Sequence, residues 1–96
     1  PSTITAATYS QAAADCALIF NNASANCTVT MLSAASYPGK RLVVKNLSGT
    51  YTVISAASNV VPRTSTTAGT AILAATAGAW AELVSDGTNW IVMAGN

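Results

Sequence analysis

Asp15, Glu82 and Asp86 are the chain's three side-chain acids, and there is no histidine. Without an imidazole, a Ser-His-Asp or Cys-His arrangement cannot form within one chain. Acid–base work by a carboxylate pair would have to come from these three, with Glu82 and Asp86 the nearest couple. Asp86 precedes a glycine between two apolar runs and Glu82 falls in the first of those runs, so a turn residue and a strand-face charge describe them better. A Ca²⁺ or Mg²⁺ site wants several carboxylates close together, and three scattered acids do not supply one. The sequence therefore marks no catalytic, cofactor-binding or metal-ligating residue, and the protein is expected not to be an enzyme.

Cys16 and Cys27 are the remaining reactive side chains. If Cys16–Phe20 and Cys27–Met31 pair as a hairpin with Phe20 facing Cys27, then Cys16 faces Met31. The two thiols then lie four residues apart, roughly 13 Å along a strand, which a disulfide does not span. Both are expected to be reduced and buried, on one face with Leu18, Phe20, Val29 and Met31. Two cysteines without other ligands make no zinc site.

Lys40, Arg41, Lys45 and Arg63 are too few for the basic stripe that nucleic acid requires. Gly39-Lys40 lacks the glycine-rich frame of a phosphate loop. Three N-x-S/T triplets, at Asn22, Asn26 and Asn46, are what chance gives in a chain this rich in Ser and Thr. No basic start with a continuous apolar run marks a signal peptide, and no stretch of about 18 apolar residues marks a membrane helix. Neither nucleic acid nor membrane is expected as a partner.

The elements that must hold these residues read as β. Val, Ile, Thr and Tyr recur in short runs separated by Gly, Asn, Ser and Pro. Strands are expected at Thr3–Tyr9, Cys16–Phe20, Cys27–Leu32, Arg41–Leu47, Thr50–Ser55, Thr70–Leu73, Trp80–Ser85 and Trp90–Met93. Turn chemistry lies at Asn21-Asn22, Pro38-Gly39, Ser48-Gly49, Asn59 with Pro62, and Asp86-Gly87. The fold class is thus all-β, a compact antiparallel sandwich or barrel of seven or eight short strands in a single domain over 1–96. Residues 1–10 would be an N-terminal arm or an edge strand. The alanine-rich stretches Ser10–Leu18 and Ala71–Ala77 offer helix as the rival reading. Asp86-Gly87 signals a last hairpin. A two-residue turn would set Leu83 against Trp90, and a turn with Gly87 as a left-handed bulge would set Glu82 there. The bulged form is favoured.

Composition points away from an isolated body. The chain is 51% hydrophobic, but only 7% of it is charged, with a net charge of +1. Soluble domains ordinarily carry roughly 25% charged residues and keep their net charge away from zero. A domain of 96 residues often needs help to be stable. Self-association, or docking on a larger body, is the expectation.

Along about two thirds of its length the chain resembles a small β module of tailed-phage virion proteins. The likeness runs from Thr8-Tyr9 through Asp15, Leu18-Ile19 and Asn22-Ala23-Ser24-Ala25 to Thr28-Val29-Thr30. It continues over Pro38-Gly39-Lys40-Arg41-Leu42-Val43-Val44-Lys45-Asn46-Leu47-Ser48-Gly49 and Thr52-Val53, and closes on Leu83-Val84-Ser85-Asp86-Gly87-Thr88-Asn89-Trp90. Met31-Leu32-Ser33 stands where the family often has Pro, and 59–79 fits loosely. The resemblance implies a non-enzymatic structural unit, commonly trimeric, found in tail fibres and spikes or as stand-alone head proteins.

Pro1 reads as the residue left after removal of an initiator Met, so a complete short chain is expected. That favours a capsid decoration or cement protein, a homotrimer bound to the major capsid protein on the virion surface and made in the bacterial host cytoplasm. The alternatives are a tail-fibre or receptor-binding module using exposed Tyr37, Tyr51 and Trp80 on host glycan, and a glycan-cleaving enzyme built on Glu82.

Overall fold

The computed structural model describes residues 2–96 and contains ten strands, with no helix among those residues. They are β1 (Ser2–Ile4), β2 (Thr8–Ser10), β3 (Ala17–Phe20), β4 (Cys27–Thr30), β5 (Arg41–Asn46), β6 (Val53–Ser55), β7 (Val60–Val61), β8 (Ala71–Leu73), β9 (Trp80–Ser85) and β10 (Trp90–Gly95). The strands form two mixed sheets, one of six in the order β1-β3-β5-β9-β10-β7 and one of four in the order β2-β4-β6-β8.

The antiparallel expectation is corrected by the path of the chain. From β1 to β6 successive strands alternate between the two sheets, so each returns to its own sheet running the same way. Parallel pairs follow: β1 with β3, β3 with β5, β2 with β4, and β4 with β6. The region wraps as three stacked turns, each giving one strand to either sheet. Antiparallel β9 closes the stack beside β5, and β8 closes it beside β6.

The expected hairpin of Cys16–Phe20 with Cys27–Met31 does not form, because residues 21–26 carry the chain from one sheet to the other. Likewise Thr3–Tyr9 is two strands, β1 and β2, in different sheets. β7 is an addition to the expected strands; it is two residues long and pairs in parallel with β10. The helical alternatives give way to a turn closed by Asp15 N–H on Ala12 O (3.0 Å) and to β8.

Period-2 burial builds the core. In β5 the pattern is strictly exposed then buried, and β9 follows the same alternation. Leu18, Phe20, Cys27, Val29, Leu42, Val44, Val53, Leu83 and Trp90 come from both sheets into one hydrophobic cluster. The six-stranded sheet runs beyond the other, and residues of the 31–40 loop cross its inner side there. Trp90 Nε1 donates to Leu32 O (2.9 Å) and Ser85 Oγ donates to Ala34 O (2.8 Å).

Asparagines hold the corners where the chain changes sheets. Asn22 is buried, and its Nδ2 donates to Ala6 O (2.6 Å) in the corner before it. Asn26 Oδ1 accepts the Thr52 N–H (2.9 Å) from the corner after it. Asn46, 1% exposed, donates through Nδ2 to Tyr51 O and Ala74 O, each at 2.9 Å, and accepts the Ser48 N–H at 3.0 Å. These are the asparagines of the three N-x-S/T triplets. Their work is to supply side-chain partners to corner backbone that no ladder reaches.

Candidate functional site

The three acids are set apart, each in its own local structure. Asp15 Oδ2 accepts the Tyr9 hydroxyl (2.6 Å) and the Ala12 N–H (2.8 Å), which pins the turn after β2. That hydrogen bond to Asp15, followed by burial, raises the Tyr9 pKa above its ordinary value. Asp86 Oδ1 accepts the N–H groups of Thr88 (2.9 Å) and Asn89 (2.8 Å). Those backbone donors, Asn89 first, hold its carboxyl below the usual value. Glu82 stands on the outward side of β9, 3.3 Å from Arg41 Nη1. No group of three His, Cys, Asp or Glu that could hold a metal ion occurs among the described residues.

The cysteines part company. Cys27 lies in the core, where burial raises its thiol pKa, whereas Cys16 is exposed. The expectation of two buried thiols fails with the hairpin that it rested on. Among the cations, Lys40 Nζ donates to Ala13 O (2.7 Å) and Arg41 meets Glu82. Arg63 lies in the wall of an open pocket of about 200 Å³, beside Pro62, Ile72, Ala81 and Val92. Asp15, Glu82 and Asp86 lie outside that wall. Of the aromatic candidates, Tyr37 and Tyr51 are half-buried and Trp80 is 39% exposed.

The two sheets turn very different outer faces to their surroundings. On the four-stranded sheet, Thr8, Thr28 and Ile54 align across neighbouring strands, and Ser10 aligns with Thr30. That face is uncharged and mostly hydroxyl-bearing. On the six-stranded sheet one row runs Ile19, Lys45, Trp80; the next runs Ala17, Val43, Glu82, Ala94; a third runs Arg41, Val84, Ile91. Apolar side chains dominate these rows. Val43 is 40% exposed, and Met93, the extra residue where β10 bulges against β9, is 61% exposed. Of the four large apolar side chains that stand exposed among the described residues, three (Val43, Trp80 and Met93) are on this face. Exposed apolar clusters are common on surfaces through which proteins meet other molecules.

Sequence reasoning names Trp80 and Glu82 but not the face, because neither the register of β3, β5, β9 and β10 nor the bulge at Met93 can be counted from one strand alone. The signal that bears on it lies in Arg41–Asn46, whose strict alternation assigns Arg41, Val43 and Lys45 to one side.

No family model matches the chain, and neither the curated proteins nor the solved structures contain a match to it.

Proposed function

We propose that the protein is a non-enzymatic structural protein of a tailed-phage virion, a decoration protein that binds the major capsid protein on the outside of the head and stabilises it. The observation that carries this reading is a small layered, sandwich-like β body whose two outer faces differ, one apolar and suited to packing against protein, the other uncharged and hydroxyl-lined. The acids serve turns and a strand-face ion pair. The motifs shared with the phage module fall on elements that shape this body: Thr28-Val29-Thr30 on β4, the Pro38–Gly49 run on β5 and its corner, and Leu83–Trp90 on the last hairpin. A trimer suits the role, since a small unit repeated over a shell gains strength through many weak contacts.

Mixing the purified protein with assembled capsids that lack it tests the reading. Co-sedimentation with the capsids, and a higher temperature of particle disruption, are expected. Protein that stays in the supernatant and leaves particle heat resistance unchanged would refute it. The exposed indole of Trp80 favours one second reading, a fibre module resting on host glycan. Binding on a glycan array that is lost in Trp80→Ala, together with tail labelling in immuno-electron microscopy, would select that reading instead.

A further inference from the structure

We propose that the outer face of the six-stranded sheet is buried against other copies of this chain, so that it forms the protein's own assembly interface and the hydroxyl-lined face of the other sheet stays outermost. The inference takes only the number of copies, three, from the proposed function.

Charge and apolar content favour the chain itself as occupant. Arg41 and Lys45 stand on β5 and Glu82 on β9, so the face carries both signs and offers its copy the charges that it needs. Arg41 is 70% exposed and touches Glu82 through a single nitrogen, at 3.3 Å. A guanidinium has five N–H donors, which leaves donors for a second carboxylate, the Glu82 of a neighbouring copy.

β5, β9 and β10 are six residues long, but β3 has four, β1 three and β7 two. Strands about 4.8 Å apart then give a face on the order of 400 Å², about half of the roughly 800 Å² that each partner contributes to a standard interface. Three copies around an axis, each face meeting two neighbours, would use the whole of it. Outward Ile19, Val43, Trp80, Val84, Ile91 and Met93 provide the apolar filling that packed sheets place between them at about 10 Å. The opposite face has hydroxyls where this one has those side chains, so only one side of the molecule gains much by leaving water.

Analytical ultracentrifugation of the full chain, with Val43→Glu and Met93→Glu as interface variants and Thr30→Glu as a control on the opposite face, tests the proposal. Met93 is already largely exposed, so a glutamate there leaves the core untouched. Far-UV circular dichroism and the emission of buried Trp90 report that each variant is folded. The wild type and Thr30→Glu are expected to sediment as trimers. Either interface variant should weaken association at least about a hundredfold, as expected when a central anchor of an interface is removed. Trp80 emission should shift to shorter wavelength as the wild type is concentrated, and not in Val43→Glu. A wild type that stays monomeric at millimolar concentration, or interface variants that remain trimers, would overturn the proposal. Monomeric protein that still binds capsids would sink this inference and leave the decoration reading standing; a trimer through this face that ignores capsids would do the reverse.

Discussion

Asp86 is a turn-former whose charge matters through the hydrogen bonds it accepts. Its carboxylate receives two backbone N–H groups of the loop that it opens, and Gly87, at φ +90°, supplies the left-handed residue. Donors to the charged form lower its pKa in the folded state from the ordinary 3.8. The sign follows: the folded chain holds this proton more weakly than the unfolded chain. The stabilisation is therefore complete above the ordinary value and disappears as pH falls through the lower, folded one. Asp86→Asn keeps an oxygen that accepts both bonds but cannot titrate. Urea melts across the acid range should lose stability less steeply for that variant than for the wild type, with the difference confined below the ordinary carboxylate value. Parallel curves would remove the carboxylate from this role. The Asp-Gly pair makes the turn legible in the sequence. Asn22, Asn26 and Asn46 are not legible, because an asparagine's value at a corner depends on which distant carbonyl or N–H the fold brings to it.

At the scale of elements, local signals locate strands well and their partners poorly. Trp80–Ser85 is legible with both its ends, and Arg41–Asn46 to within one residue, because alternation is written in the strand itself. Register is harder. The last loop holds four residues, Asp86 to Asn89, closed by Asp86 N–H on Asn89 O (3.1 Å), so Ser85 faces Trp90. Both expected registers, Leu83 or Glu82 opposite Trp90, are corrected. Asp86 Oδ1 satisfies two N–H groups within the longer loop, and the bulge comes later, at Met93. Pairing across the sheets is least legible, since the parallel turns differ in length. Ser2 aligns with Leu18 and Leu18 with Val44, so no constant repeat appears in the sequence. What ties one sheet to the other at the end of β5 is Asn46, which bonds the segments before β6 and after β8. Asn46→Ala would leave two carbonyls and an N–H unpartnered in a closed site, a loss of about 3 kcal/mol in equilibrium urea unfolding. Asn46→Asp keeps the acceptor but sets a carboxylate against the Tyr51 and Ala74 carbonyls, and should cost at least as much at neutral pH. A loss within measurement error for both variants would show that the corner is held without it.

For the whole molecule the winding path sets the kinetics. No parallel pair can close until the chain has visited the other sheet and come back, and the central β5–β9 pairing joins Arg41 to Val84. Loop-closure entropy must be met before such contacts return anything, which places folding in the millisecond-to-second range of strand-dominated domains, orders of magnitude slower than a helical bundle. The two tryptophans separate folding from assembly. Trp90 is fully buried and joins β10 to β7, β9 and the 31–40 loop, so its emission changes when the monomer closes. Trp80, 39% exposed on the outer face, changes partly as the monomer closes and again when that face is covered. Stopped-flow refolding should therefore show a first phase independent of protein concentration, retained in Trp80→Phe. A slower phase should accelerate with concentration and be missing from both Trp80→Phe and Val43→Glu. A microsecond first phase would contradict the non-local topology. A second phase that ignored concentration, or that survived Val43→Glu, would contradict assembly through the six-stranded sheet.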